Sequence, residues 1–303
     1  MRGKPACCDD ARHALLVLVP FLLLLWSFPS AFGQGASSQT STNQISTDPN
    51  KLVRRVIANE LKSQEQDHSH WSFRLNTEKP HGETEVDEVV ETKDGDLKRP
   101  LLINGREPDS EQQQKASQRI RLLVQNPAPL RKARQEDDQD TVRSQRLLRM
   151  IPDAFNFSYG QRRRDLIELK FFPNPKFHPQ THEAEVFHAM NGSLWLDAKQ
   201  ERVEEISGRL VREVKFGGGV LGHLNPGGTF DVKQAPVAPG YWELTHLKVQ
   251  MRGKALFFKT IGVQQDYTRS EFQQVPDDLT IARAAEMLQK QTTTAQDGAK
   301  NSR

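Results

Sequence analysis

The apolar residues of this chain follow three rhythms. Ala14 to Trp26 is a single apolar run broken only by Pro20. Helical spacing then takes over: Leu52, Val53, Val56, Ile57 and Leu61 recur at intervals of three and four behind the start signal Asp48-Pro49. This predicts a helix ending near Asp67. Beyond it the period falls to two. Trp71-Ser-Phe73-Arg-Leu75-Asn alternates apolar and polar residues, as a half-buried strand does. Glu83–Thr92 and Leu97–Ile103 are the next predicted strands. Lys93-Asp94-Gly95-Asp96 joins them as a turn, because glycine accepts positive φ.

Residues 108–151 change character. Apolar positions there are sparse (Ile120, Leu122, Leu123, Leu130, Val142, Leu147, Leu148, Ile151), and Pro127 and Pro129 divide the stretch into two helices. It reads as a helical hairpin inserted between two sets of strands, with Gln135–Asp140 on a solvated face.

From Phe155 to about Gln265 the pattern is again mostly β. Ile167, Leu169 and Phe171 alternate with charged residues. Glu185–Asp197 carries Phe187, Leu194, Trp195 and Leu196, with Asn191-Gly192 read as a turn. Val203–Phe216 is the next strand, with Gly208 at a bulge or bend. Thr229–Gln234 and Tyr241–Met251 follow, and Arg252-Gly253 is read as the turn to Ala255, Phe257, Ile261 and Val263. Short connections mean antiparallel pairing, since parallel pairs need long crossovers. A short helix over Leu279–Gln289 and a polar tail close the chain. The order predicts an α+β fold: one large curved antiparallel sheet, a half-open barrel, with helices on its concave side.

The first apolar run has a separate meaning. It spans 13 residues behind Arg2, Lys4 and Arg12, and Ser30-Ala31-Phe32-Gly33 follows it with small residues at a cleavage site. The run is shorter than the roughly 18 residues that cross a bilayer. Residues 1–33 therefore read as a cleavable signal peptide, residues 34–47 as a flexible leader, 48–270 as the sheet domain, and 271–303 as a short helix with a disordered tail. The expected location is the periplasm or the exterior, with no membrane-spanning segment after cleavage. Cys7 and Cys8, the two cysteines of the chain, leave with the signal. The mature protein then has no disulfide, no thiol nucleophile and no cysteine to lipidate. Basic and acidic residues nearly balance, at 42 and 39, which argues against a nucleic-acid partner.

Candidate chemistry is thin. Gly217-Gly-Gly219-Val-Leu-Gly222 matches the spacing of a dinucleotide fingerprint, but His223-Leu-Asn-Pro226-Gly227-Gly228 follows it and precludes the helix that motif needs. The stretch reads instead as a flexible loop between strands, with Gly217, Gly218, Gly219 and Gly222 as a candidate gate. His178 and His182 have metal-ligand spacing only on a helix, and Pro173, Pro175 and Pro179 make that segment extended. The pairs Glu83/Glu85, Asp87/Glu88 and Glu204/Glu205 fit exposed strand edges better than a glycosidase dyad. The sequence offers no nucleophile elbow, and no metal or cofactor is expected.

Gly192-Ser-Leu-Trp195-Leu-Asp197 followed by Arg202-Val203 and Ile206-Ser-Gly208 resembles a hairpin of exported bacterial proteins in the outer-membrane lipoprotein-sorting carrier superfamily. Val214–Gly222, Gly240-Tyr-Trp242 and Lys254-Ala-Leu-Phe257 extend the likeness toward an acidobacteria-type subgroup. The resemblance spans about residues 50–265. It implies a half-open antiparallel barrel whose hollow is lidded by helices, and lipid or lipoprotein acyl chains as partners. No functional residue is carried over from it.

The expected function is that of a non-enzymatic periplasmic binding or carrier-like protein for an apolar ligand. Trp71, Phe73, Phe171, Trp195, Leu247 and Phe257 are the candidate lining. Two other expectations stand beside it: an envelope protein-interaction or sensor module using the helical insert and the glycine loop, and a hydrolase whose site the sequence does not reveal.

Overall fold

The computed structural model describes the backbone of residues 46–255 and 259–300, with side chains over 46–254 and 262–290. The segment read as a signal peptide, nearly all of the expected leader, and Phe257 lie outside the described residues.

Helix α1 (Pro49–Gln66) begins where the sequence places it. The Asp48 carboxylate accepts hydrogen bonds from the Asn50 and Lys51 N–H groups, and Pro49 occupies the first turn. Leu52, Val53, Val56 and Ile57 form its buried stripe. Three strands follow: β1 (His70–Glu78), β2 (Thr84–Val90) and β3 (Leu97–Ile103). Helix α2 (Ser110–Gln125) is started by a capping box in which Asp109 and Gln112 each satisfy the other's backbone N–H. Helix α3 (Ala128–Ala154) runs 27 residues, its apolar side chains concentrated near its C-terminal end.

Nine further strands complete the sheet: β4 (Phe155–Arg163), β5 (Leu166–Pro173), β6 (Met190–Asp197), β7 (Arg202–Leu210), β8 (Val214–Phe216), β9 (Gly222–Leu224), β10 (Thr229–Ala238), β11 (Tyr241–Ala255) and β12 (Lys259–Val275). Helix α4 (Ile281–Lys300) follows. Among the described residues, twelve antiparallel strands form one curved sheet that does not close. Its main path is β3-β2-β1-β12-β11-β10-β7-β6-β5-β4, and β8 and β9 form a small hairpin docked on the end of β11.

That order gives the helical insert a larger task than decoration. Strands β3 and β4 are the two opposite edges of the path, and α2 and α3 are the connection between them. Leu130, near the start of α3, packs with Val90 and Leu97, whereas Leu147, Leu148 and Ile151 at its other end pack with Phe155 and Phe171. Helix α3 therefore runs from the β2–β3 turn to the start of β4, and Asp137 and Thr141 in its middle lie over the inner face. At 1.5 Å per residue it spans about 40 Å, and nine gaps of about 4.8 Å span about 43 Å. It passes over the β2–β3 turn at Gly95. There φ is +126°, and a Cβ would lie 2.9 Å from the Leu130 carbonyl oxygen.

The inner face carries the main core. Leu169, Leu194, Ile206, Val232 and Leu247 meet one another across β5, β6, β7, β10 and β11 in register, under α1 and α3. Helices α2 and α4 depart from the expectation of helices only on the concave side. Val90 and Leu97 point away from the inner face of β2 and β3 and pack with Ile120 of α2 and with Ile281, Ala284 and Leu288 of α4. Alternation explains this, because neighbouring residues on one strand must face opposite sides.

Other local readings change. Asn191-Gly192 is not a turn but lies within β6, because Phe187 belongs to a 3-10 segment over Glu183–Ala189 and the strand starts only at Met190. Gly208 is not at a bulge; it pairs in regular register with Gly192 and Phe230, and a Cβ there would meet the Phe230 ring at 2.7 Å. Arg252-Gly253 is not a turn either: β11 runs on to Ala255, and a Cβ at Gly253 would lie 2.1 Å from the His223 carbonyl oxygen of β9. Residues 271–275 belong to β12 rather than to a tail, and the last helix outruns Leu279–Gln289. Close approach of backbone, not chain reversal, explains the glycines at 192, 208 and 253.

Gly192→Ala is expected to cost about 3 kcal/mol or more, since its methyl would lie 1.9 Å from the Ser207 carbonyl oxygen. Gly262→Ala, which meets open space on β12, should stay within about 0.5 kcal/mol of the parent in urea unfolding.

Candidate functional site

Two buried charge systems lie under the sheet, and they differ in kind. The first is a satisfied clasp. Arg202 of β7 donates two hydrogen bonds to Glu60 of α1, at 2.9 and 3.1 Å. The Val203 N–H and the Gln234 amide donate to the same carboxylate at 2.7 and 3.1 Å, and the guanidinium lies over Trp242. Every oxygen of Glu60 is engaged, which is the condition for a buried pair to hold elements together rather than strain them. The clasp fixes α1 to β7 and β10.

The second system sits where the sheet splits. Strand β11 pairs with β12 only as far as His246 opposite Thr268. Past that point β12 continues beside β1, while β11 continues beside β10. Aromatic rings bridge the parting strands: Trp71 of β1 meets Tyr241 of β11 edge-on at 5.7 Å and Phe272 of β12 at 6.3 Å. Bulges make the split possible. Two lie in the pairing of β10 with β11, between Lys233 and Gln234 and between Pro236 and Ala238, and a third lies between Ser72 and Arg74 in the pairing of β1 with β12.

Carboxylates collect around this split. Glu91, 8% exposed, accepts a 2.9 Å hydrogen bond from the Trp71 N–H. Burial pushes its carboxyl up to about 7, against the pull of Arg269 and of the Trp71 N–H. Glu243 of β11, 7% exposed, is raised well above the usual carboxylate range by burial and by the charge of Glu91. Asp96 is raised in the same way, by burial first and then by Glu91 and Asp137, while Arg134 and Arg269 oppose the shift. Its Oδ1 is shut off from solvent and has no hydrogen-bond partner among the described residues. Arg269 of β12, 8% exposed, lies over Phe73 at 4.9 Å and over Tyr267 at 5.6 Å.

Two cavities flank the cluster. A polar cleft of about 330 Å³ is lined by Gln64, Asp67, Arg202, Tyr241, Trp242 and Glu243. A second cavity of about 260 Å³ lies between α3 and the inner face of β1, β2, β3 and β12. Phe73, Leu75, Val89 and Tyr267 give it apolar walls; Asp96, Lys98, Asp137, Thr141 and Arg269 give it a polar side. Lys98 is held by Asp87 at 2.9 Å.

The residues singled out from the sequence do not share one hollow. Phe73 lines the 260 Å³ cavity and Trp71 packs beside it. Phe171 and Leu247 are in the main core. The space near Phe171, bounded also by Ile57, Leu148, Leu194 and Val232, is only about 50 Å³. Trp195 faces the opposite side of β6, across from Glu168 and Glu205, with Arg163 over its ring at 4.8 Å. The glycine stretch is not an open loop from Gly217 to Gly228: Gly222–Leu224 is strand β9, paired with both β8 and β11. Gly217, Gly218, Gly219 and Gly222 all have positive φ and turn the tip of that hairpin, where Val220 is 75% exposed.

Asp87 and Glu88 also correct an expectation. They are buried rather than on an exposed edge; Asp87 is 1% exposed and held by Lys98, and Glu88 faces Arg74. The cluster of Glu91, Asp96, Glu243 and Arg269 was not legible as a site. Only Glu243, a carboxylate between Trp242 and Leu244, carries a hint in sequence.

Searches against protein-family models, curated proteins and solved structures return no match to this chain. Among the described residues, no helix is long and apolar enough to cross a membrane.

The raised carboxyls have a calculable consequence. A folded state that holds Glu91 at about 7 binds a proton that the unfolded chain, with its glutamate near 4.3, has released. Stability therefore falls as pH rises through that window and then levels off. Glu91→Gln keeps an oxygen for the Trp71 N–H. It should flatten the pH dependence of urea unfolding between about pH 4.5 and 7 and raise stability above it. An unchanged pH profile would count against a proton on Glu91.

Proposed function

We propose that this protein is a non-enzymatic, periplasmic binding or carrier-like module that takes an apolar ligand in the cavity between α3 and strands β1, β2 and β12. The observation that carries this reading is the cavity of about 260 Å³ walled by Phe73, Leu75, Val89 and Tyr267. It lies just below the range of about 300–1,000 Å³ typical of small-molecule pockets. The space of about 50 Å³ under α1 and Phe171 has room for one or two waters at about 30 Å³ each, not for a chain of methylenes. The ligand site thus moves from the middle of the helix–sheet layer to the β1–β2 end. The resemblance of the Gly192–Gly208 hairpin to lipoprotein-sorting carriers agrees with this class of function.

Size also limits the ligand. At about 30 Å³ per water-sized unit, the cavity takes about nine non-hydrogen atoms. A long acyl chain would enter by its end only. Burying about 150 Å² of hydrocarbon gives about 4 kcal/mol, or millimolar binding, before any polar contact is added. Organic extraction of protein purified from its native envelope, followed by mass spectrometry, should yield a compound with a short apolar moiety. Val89→Trp should fill the cavity and exclude it. An empty extract, together with no binding of apolar probes to the parent protein, would sink the proposal.

A second reading, a protein-interaction module, is favoured by one patch. Val211, Val220 and Leu221 are exposed at the β7–β8–β9 end. Deleting residues 108–151 cannot test it, because α3 joins the two edges of the sheet. Val220→Ser with Leu221→Ser should instead abolish crosslinking to a defined envelope protein while leaving the melting temperature unchanged. Unaltered capture would exclude this patch.

A further inference from the structure

We infer that the cavity beside Phe73 recognises a ligand bearing a primary ammonium group on a short apolar body, with Asp96 as the carboxylate that receives it. The inference rests on the binding function proposed above and names the chemistry of the ligand's polar end.

Three observations carry it. First, the cavity is two-sided: rings and aliphatic groups on one wall, Asp96 and Asp137 on the other. Second, Asp96 Oδ1 is buried and lacks a hydrogen-bond partner among the described residues. A buried carboxylate oxygen without a donor costs free energy that a ligand donor would recover. Third, the surrounding ionisable groups are mostly acidic. Glu91, Glu243, Asp67, Asp96 and Asp137 act on one another around the split, opposed by Arg269 and Arg134. Arg134 is also bonded to Asp138 at 3.2 Å, and Lys98 is committed to Asp87. Burial raises three of these carboxyls, Glu91, Asp96 and Glu243, so an ammonium entering beside them favours their ionised form and is held by it, whereas an anion favours the protonated form and gains no such pairing.

The fixed cation shows how an ammonium would be accommodated. Arg269 lies over Phe73 and Tyr267, which places a positive charge against two ring faces at the cavity wall. An ammonium at Asp96 would favour its ionised carboxylate and gain a charge-assisted hydrogen bond. The class defined in this way is alkyl- and arylalkylammonium, whether free or the headgroup of a lipid.

Octylamine, octanol and octanoate have nearly the size that fills the cavity and differ only in the polar end. Titration calorimetry of the parent protein at neutral pH should give octylamine an affinity about tenfold or more above octanol, with octanoate weakest. Asp96→Asn should bring octylamine down to the level of octanol and leave octanol unchanged. Octanoate or octanol binding as tightly as octylamine overturns the inference, as does a folded Asp96→Asn that binds octylamine like the parent. If that variant does not fold, the order of the three probes on the parent protein decides alone. Octanol binding without preference for the amine removes the ammonium and leaves the apolar site. Failure of all three to bind removes both. Vesicles carrying an amine-headed lipid, set against neutral ones, separate a headgroup from a free amine.

Discussion

The connection from β3 to β4 is the constraint on which the rest of this structure depends. The chain leaves the sheet at one edge and re-enters it at the other, and the middle and C-terminal part of α3 make that return over the inner face. A 27-residue helix reaches about as far as the strand path is wide. It binds the sheet's inner face tightly at its C-terminal end, where Leu147, Leu148 and Ile151 meet Phe155. In its middle it presents Asp137 and Thr141, small polar side chains that do not fill the space beneath them. The cavity beside Phe73 is the consequence: a helix held at both ends over a sheet that splits in the middle.

The same geometry explains why the two buried charge systems differ. Glu60 and Arg202 meet where α1 sits directly on β7, and each carboxylate oxygen finds a donor. Losing one partner of such a pair costs about 3–5 kcal/mol, because the other is left charged and buried. Glu91, Asp96 and Glu243 instead gather where β11 leaves β12 and backbone pairing is interrupted. There the carboxyls face one another with too few cations, and burial lifts all three. Such an arrangement lowers stability at neutral pH, and perturbed groups of this kind concentrate where ligands act.

Particular residues show how far pattern reading reaches. The cap at Asp48, the stripe from Leu52 to Ile57, the turn at Gly95 and the strand Leu97–Ile103 were all legible, because each depends on neighbours within a few positions. Gly192, Gly208 and Gly253 were misread as turn or bend residues, because their requirement comes from the carbonyl of another strand rather than from φ. Glu91 and Asp96 looked like a strand end and a turn. Their burial is created by α3 and by residues from 67 to 269 in the chain.

The sequence by itself determined the periodicities, the caps and therefore an α+β protein built on a long antiparallel sheet, since these follow from local backbone geometry and side-chain alternation. Only the tertiary structure decided the strand order, the edge-to-edge path of α3 and the outward position of α2 and α4. It also decided which aromatics fill a core and which face a hollow: Phe171 and Leu247 are packed, Trp195 faces outward, and Phe73 borders open space. The physical reason is that a cavity is a property of what fails to meet across a distance. No local pattern encodes that.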